Sequence, residues 1–239
     1  MPVLPICRCR QGGEDEEAAD LDLSWMFAAY VNENHPFVDT LTRESIDAKV
    51  IDSFFGYQGE DADVLRQVYA IWHTLQQRGM RYSDISQSSA ESPVVYSQHV
   101  RLFDEALAAR QANCVDGTVV FASVLRKIGI EPYLVTLPGH MFLAFSLDEE
   151  GEQLLGLETT MMGSAPSPGA APSRRIPAAL ARQLGARASF RSFGEAIDEG
   201  TAVLEKNRSK FEGDDPDYQL ISLSEARQIG ILPLAYRKK

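Results

Sequence analysis

The sequence predicts an α+β fold in which one buried helix packs on an antiparallel sheet, with additional N- and C-terminal helices around that core. Three observations carry this reading. Apolar residues recur at helical spacing between Asn113 and Ile128, and three β-rich runs follow between Pro132 and Thr160. Further helical patterns occupy Glu60–Arg78 on one side and Phe190–Phe211 on the other.

Residues 1–22 read as a flexible acidic arm, because Glu14, Asp15, Glu16, Glu17, Asp20 and Asp22 crowd its second half with no base among them. The rest, 23–239, reads as a single domain. A short helix is expected within Leu23–Phe37, with Trp25, Ala28 and Ala29 at helical spacing, and His35-Pro36 ends it or turns the chain. In Glu60–Arg78 the residues Val64, Val68, Ile71, Trp72 and Leu75 form one apolar face, and Gly79 supplies a stop. Ser83–Ser92, rich in Ser, Asp and Gln, reads as a loop, and Leu102–Arg110 as a short helix.

Asn113 is a good N-cap for the central helix, and Asp116, three residues on, can reach back as a capping-box acid. Val120, Val124, Leu125 and Ile128 make the apolar stripe, and Gly129 closes the helix. The strands are expected at Pro132–Leu137, Met141–Leu147 and Gln153–Thr160. Pro138-Gly139 and the polar turn Asp148-Glu149-Glu150-Gly151 separate them. Met162–Pro177 reads as an irregular loop. Phe193, Ile197, Val203 and Leu204 favour a helix over Phe190–Phe211 despite Gly194 and Gly200. A strand at Tyr218–Leu223 and a Ser224-capped helical turn complete the pattern.

Composition narrows the function. A chain of 239 residues with 44% hydrophobic content supports one well-packed core. A net charge of -11 argues against a nucleic-acid partner, since phosphate binding depends on clustered Lys and Arg. Three cysteines do not make a disulfide framework: Cys7 and Cys9 are too close to bridge, and Cys114 stands alone. The C-x-C pair with four scattered histidines is a weak zinc pattern, so neither a metal nor an organic cofactor is expected. The N-terminal apolar run is interrupted by Pro and shorter than the about 7–15 residues of a signal core. No stretch reaches the roughly 20 apolar residues of a membrane span. The expected compartment is cytoplasmic, or outside the cell if a longer leader preceded this chain.

Cys114 falls at the first turn of the central helix, where amide groups and the positive end of the helix dipole favour a thiolate. His140 follows the Pro138-Gly139 turn at the mouth of a strand. Glu158 closes the apolar run Leu154-Leu155-Gly156-Leu157 and needs a partner if buried. A cysteine nucleophile requires an imidazole base, and the imidazole requires an acceptor that fixes its tautomer. Adjacent strands about 4.8 Å apart could bring His140 and Glu158 together, both facing the helix that carries Cys114.

The run N-C-V-D-G-T-V-V-F-A-S-V-L-R-K-I-G-I-E-P-Y-L-V-T-L-P-G-H-M-F-L-A-F, from Asn113 to Phe145, resembles the core of the transglutaminase-like superfamily, a branch of the papain-like cysteine enzymes, in its bacterial type. The likeness spans Gln98 to Thr160, with a catalytic core at about 94–161, and Glu158-Thr159-Thr160 stands where the family carries its acid before a Thr. The resemblance implies a papain-like fold with Cys114 as nucleophile, His140 as general base and Glu158 as orienting acid. Many members use Asp at the Glu158 position. It also implies that Gln98 is similar in placement to the glutamine that supplies one oxyanion donor in papain-like enzymes. Asp116 resembles a family helix residue and is read as capping.

The expected activity is cysteine-dependent acyl transfer through a thioester, most simply hydrolysis of a peptide or side-chain amide in a protein or peptide substrate. Crosslinking is less expected, because nothing marks an amine-acceptor site or a calcium loop. The alternatives are a peptide-binding or scaffold domain that keeps the fold without turnover, and transglutaminase- or N-acetyltransferase-type transfer.

Overall fold

The computed structural model describes residues 6–11, 19–83, 89–91, 95–213 and 215–236. In chain order the strands are β1 (Ile6–Gln11), β2 (Ala19–Asp22), β3 (Arg81–Tyr82), β4 (Ser89–Glu91), β5 (Val95–Gln98), β6 (Gln111–Ala112), β7 (Pro132–Leu137), β8 (His140–Ser146), β9 (Leu154–Leu157) and β10 (Gln219–Ser222). The helices are α1 (Pro36–Asp47), α2 (Asp61–Gln77), α3 (Phe103–Ala109), α4 (Cys114–Lys127), α5 (Ala178–Leu184), α6 (Ala188–Lys206), α7 (Arg208–Phe211) and α8 (Leu223–Gln228), with 3₁₀ turns at Ser24–Tyr30 and Thr159–Met161. Helix and sheet are thus mixed, as an α+β chain requires.

The sheet that positions the site runs β10-β7-β8-β9, antiparallel throughout. Alternation divides its side chains between two cores. Leu134, Met141, Leu143 and Phe145 join the main core, which also contains the apolar face of α4. Val135, Phe142 and Ala144 face the other way, against Val203, Leu204 and Phe211. Helix α6 serves both sides: Phe190, Phe193 and Ile197 enter the main core, while Val203 and Leu204 cover the second. Trp72 on α2 is fully buried between Phe121 and Phe193, each ring 6.0 Å away, and its indole N–H donates to Ser192 Oγ at 3.3 Å. That pairing satisfies the one polar atom of a large core side chain.

Most central elements fall where the residue pattern places them, and the differences have physical causes. The expected flexible arm contains β1 and β2, which pair with each other, and β1 pairs with β5 in a second sheet, β2-β1-β5-β4. Cys7-Arg8-Cys9-Arg10 and Ala19-Asp20-Leu21-Asp22 alternate apolar with polar, a strand signal that the acid count overshadows. The run Glu14–Glu17 lies outside the described residues. His35-Pro36 opens α1, since Pro suits the first helical position and His35 Nδ1 accepts the Phe37 amide at 3.2 Å. β4 occupies part of the expected Ser83–Ser92 loop, and α5 follows the expected loop at Met162–Pro177. The cap of α8 is Ser222, not Ser224: Ser222 Oγ accepts the Glu225 amide at 3.2 Å, and Ser224 binds Glu131 instead.

Among the described residues no helix is long and apolar enough to cross a membrane, and no group of three or more His, Cys, Asp or Glu could hold a metal ion.

Candidate active site

The start of α4 is fixed from both sides. Asn113 Oδ1 accepts the Asp116 amide at 2.8 Å, and Asp116 Oδ2 accepts the Asn113 amide at 3.3 Å, which closes the capping box. Asp116 also accepts the Arg101 amide at 2.8 Å and its guanidinium at 3.3 Å, tying the segment before α3 to the first turn of α4. Burial pushes the Asp116 carboxyl above its ordinary range, and the bonds from Arg101 and Asn113 only partly offset it. Its role is capping, as its position after Asn113 predicts.

Cys114 is the first residue of α4 and lies partly buried against the core. One turn on, Gly117 lets the helix approach the 3₁₀ turn: a β-carbon there would lie 3.2 Å from Thr159 Oγ1. Thr118 Oγ1 donates to the Cys114 carbonyl at 2.7 Å and sits 3.2 Å from Thr159 Oγ1. The helix start therefore rests directly on the segment that carries Glu158.

His140 opens β8, opposite Leu137 across the two-residue Pro138-Gly139 link, where Gly139 takes φ +72° without steric cost. Its ring stacks on Phe142, with centroids 6.1 Å apart and planes 17° from parallel. Its Nε2 lies 2.8 Å from Glu158 Oε2. Nδ1 is the ring nitrogen that Glu158 does not engage. The Cys114 side chain as hydrogen-bond partner, and then the Glu158 carboxylate, push the imidazole up to about 10 against the opposing effect of burial.

Glu158 is 6% exposed. Burial alone would raise its carboxyl, but hydrogen bonds from His140 and Thr160 outweigh that and hold it below its ordinary value. Oε1 accepts both the Thr160 amide at 3.0 Å and the Thr160 hydroxyl at 2.7 Å, while Oε2 faces His140. The backbone is held as well. β9 is an edge strand, and α6 covers its outward amides: Gly156 N–H donates to Thr201 Oγ1 at 3.0 Å and Glu158 N–H to the Ala196 carbonyl at 3.0 Å.

Cys114, His140 and Glu158 thus meet at one place. Gln98 lies at the end of β5, three residues before Arg101, and its Nε2 donates to the adjacent His99 carbonyl at 3.0 Å. This orientation directs its donor group to its own backbone. The contributions of Thr160 and Gly117 are not legible as site features from spacing alone; a glycine inside an otherwise strong helix pattern is the one available signal of close packing.

No protein-family model, no curated protein and no solved structure matches this chain.

Proposed function

We propose that this protein is a cysteine-dependent acyl-transfer enzyme with a papain-like, transglutaminase-like core, acting most simply as a hydrolase of peptide or side-chain amide bonds. One observation carries the reading: Glu158 sits on His140 Nε2 at 2.8 Å, while Cys114, whose side chain helps to raise the same imidazole, stands at the start of a capped helix. Nucleophile, base and orienting acid stand in the order the chemistry needs.

In this mechanism Cys114 Sγ attacks the amide carbonyl carbon, and the C=O electron pair moves onto oxygen. The Cys114 amide, which has no intrahelical acceptor at the helix start, donates to that oxyanion. Gln98 supplies a second donor if its amide turns from the His99 carbonyl. Collapse breaks the C–N bond as protonated His140 gives its Nδ1 proton to the leaving amine. Neutral His140 then takes a proton from water, whose oxygen attacks the thioester carbon. The second tetrahedral intermediate collapses with cleavage of the C–S bond, the electron pair returns to Cys114 Sγ as the acid leaves, and the proton remaining on His140 restores the starting state. Glu158 keeps Nε2–H engaged throughout and holds the ring in one orientation.

The test is labelling by a thiol-reactive probe near pH 6, below the about 8.5 at which free thiols ionise. Cys114 should label rapidly, and His140→Ala should slow labelling by about tenfold or more, since general-base partners contribute on the order of 100-fold or greater. Equal rates in the two proteins would remove the pairing and favour a binding domain without turnover.

A further inference from the structure

We infer that Thr160 is a positioning residue of this site, clamping one oxygen of Glu158 so that the other is held on His140. The inference rests on the reading of Cys114, His140 and Glu158 as a triad. A glutamate side chain has one more rotatable bond than an aspartate, and its carboxylate can rotate away from a ring it merely touches. Here that freedom is removed at a single atom. Oε1 receives two donors from Thr160, the amide at 3.0 Å and the hydroxyl at 2.7 Å, the latter in the range of charge-assisted O–H···O⁻ bonds.

With Oε1 fixed, the carboxylate plane leaves Oε2 directed at His140 Nε2. Thr160 itself is fixed by the 3₁₀ turn Thr159–Met161, which Glu158 caps through the same Thr160 amide. The neighbouring Thr159 is engaged differently, its hydroxyl meeting Thr118 on α4. The two threonines therefore divide the work: Thr159 seats the helix that carries Cys114, and Thr160 aims the acid. A structural cap alone would need only the amide of Thr160. The hydroxyl bond is the added element.

The hydroxyl can be removed without changing shape. His140 is followed by NMR titration of the full chain in wild type, Thr160→Val, Thr160→Ser and Glu158→Gln, with folding checked by circular dichroism. The groups facing the ring are Cys114 from α4 and Glu158 beyond β9, and both are unchanged in the Thr160 variants. Thr160→Val should lower the His140 titration midpoint by about half a unit or more, because a loosened carboxylate stabilises the imidazolium less. Thr160→Ser, which restores the hydroxyl, should return it to the wild-type value. If Thr160→Val is unfolded, Thr160→Ala takes its place in the same series. A Glu158→Gln midpoint well below wild type, with Thr160→Val superimposed on wild type, overturns the role of Thr160 and leaves the triad standing. A Glu158→Gln midpoint equal to wild type overturns the triad reading itself.

Discussion

Gly156 on β9 and Gly200 on α6 are in backbone contact: a β-carbon built on Gly156 would fall 2.2 Å from the Gly200 carbonyl carbon, and one on Gly200 would fall 2.9 Å from the Glu158 amide nitrogen. The crossing is this close because neither residue has a side chain. It is also what lets the Ala196 carbonyl and the Thr201 hydroxyl reach the outward amides of the edge strand. A packing detail in α6 thereby fixes where Glu158 begins.

Gly200→Ala should therefore destabilise the protein by about 1–3 kcal/mol, the usual cost of overpacking, and should reduce turnover by displacing Glu158. Gly194→Ala on the same helix is the control. Its added carbon would lie 3.3 Å from Ser173 Cβ and 3.5 Å from Ile176 Cδ1, both side-chain atoms. There the helix-propensity gain of about 1 kcal/mol opposes a mild contact, so near-neutral stability is expected. Thermal melts of the two variants check the contrast; equal losses would mean the Gly156–Gly200 contact is not limiting.

The central helix and its strands were legible because their signals are local. Asn113 and Asp116 cap α4, Gly129 takes φ +80° at its end, and alternation marks β7 and β8. The meeting of His140 with Glu158 followed from strand adjacency and the chemistry of a cysteine nucleophile. What was not legible depends on contacts distant in sequence. Nothing around Gly200 announces that Gly156 lies against it, and the strand character of residues 6–11 depends on pairing with Val95–Gln98. His35-Pro36 misled for a different reason: Pro disfavours a helix before it yet suits the first turn of one after it. Gln98 illustrates the limit of placement by likeness, since residue type and order do not fix where a side-chain amide points.

Asp116 offers a test of how α4 is held. Asp116→Ala removes the partner of the Asn113 and Arg101 amides in a site where Asp116 is 1% exposed. Leaving such donors unpaired costs about 2–3 kcal/mol, which at this chain length lowers Tm by roughly 5–10 °C. Asp116→Asn keeps an acceptor for the Arg101 amide and should lose less. Calorimetric melts distinguish them, and an Ala variant as stable as wild type would show that the box does not secure the helix.

Deletion of residues 1–22 bears on the N-terminal strands. Removing β1 and β2 exposes the edge of β5, which loses the pairings of Ser97, Tyr96 and Val95 with Ile6, Arg8 and Cys9. A measurable fall in Tm is expected, together with faster amide exchange across Val95–Gln98. A truncated chain with unchanged melting and exchange would return these residues to the status of a solvated arm.

Glu158 joins chemistry to pH. The His140 imidazole is raised from 6.5 to about 10 in the folded protein, so folding favours its charged form. Its contribution to stability is complete below about 6.5 and is lost as pH rises through about 10. The Glu158 carboxyl is lowered from 4.5, so its contribution is present above that value and lost as pH falls through the folded pKa. The Tm advantage of wild type over Glu158→Gln should therefore be largest between 4.5 and 6.5 and shrink toward both extremes. Glu158→Gln should also lower the single-turnover acylation rate, because a neutral amide can hold the wrong imidazole tautomer. Glu158→Asp restores the charge but shortens the reach to His140 and loses the Thr160 hydroxyl contact at 2.7 Å. A displacement of about 1 Å can cost on the order of 100-fold in rate, so Asp should fall between Gln and wild type. Melting curves across the pH range and acylation rates at one pH decide it together. A pH-independent Tm difference would remove the ion pair, and equal rates for Gln and wild type would reduce the site to Cys114 and His140.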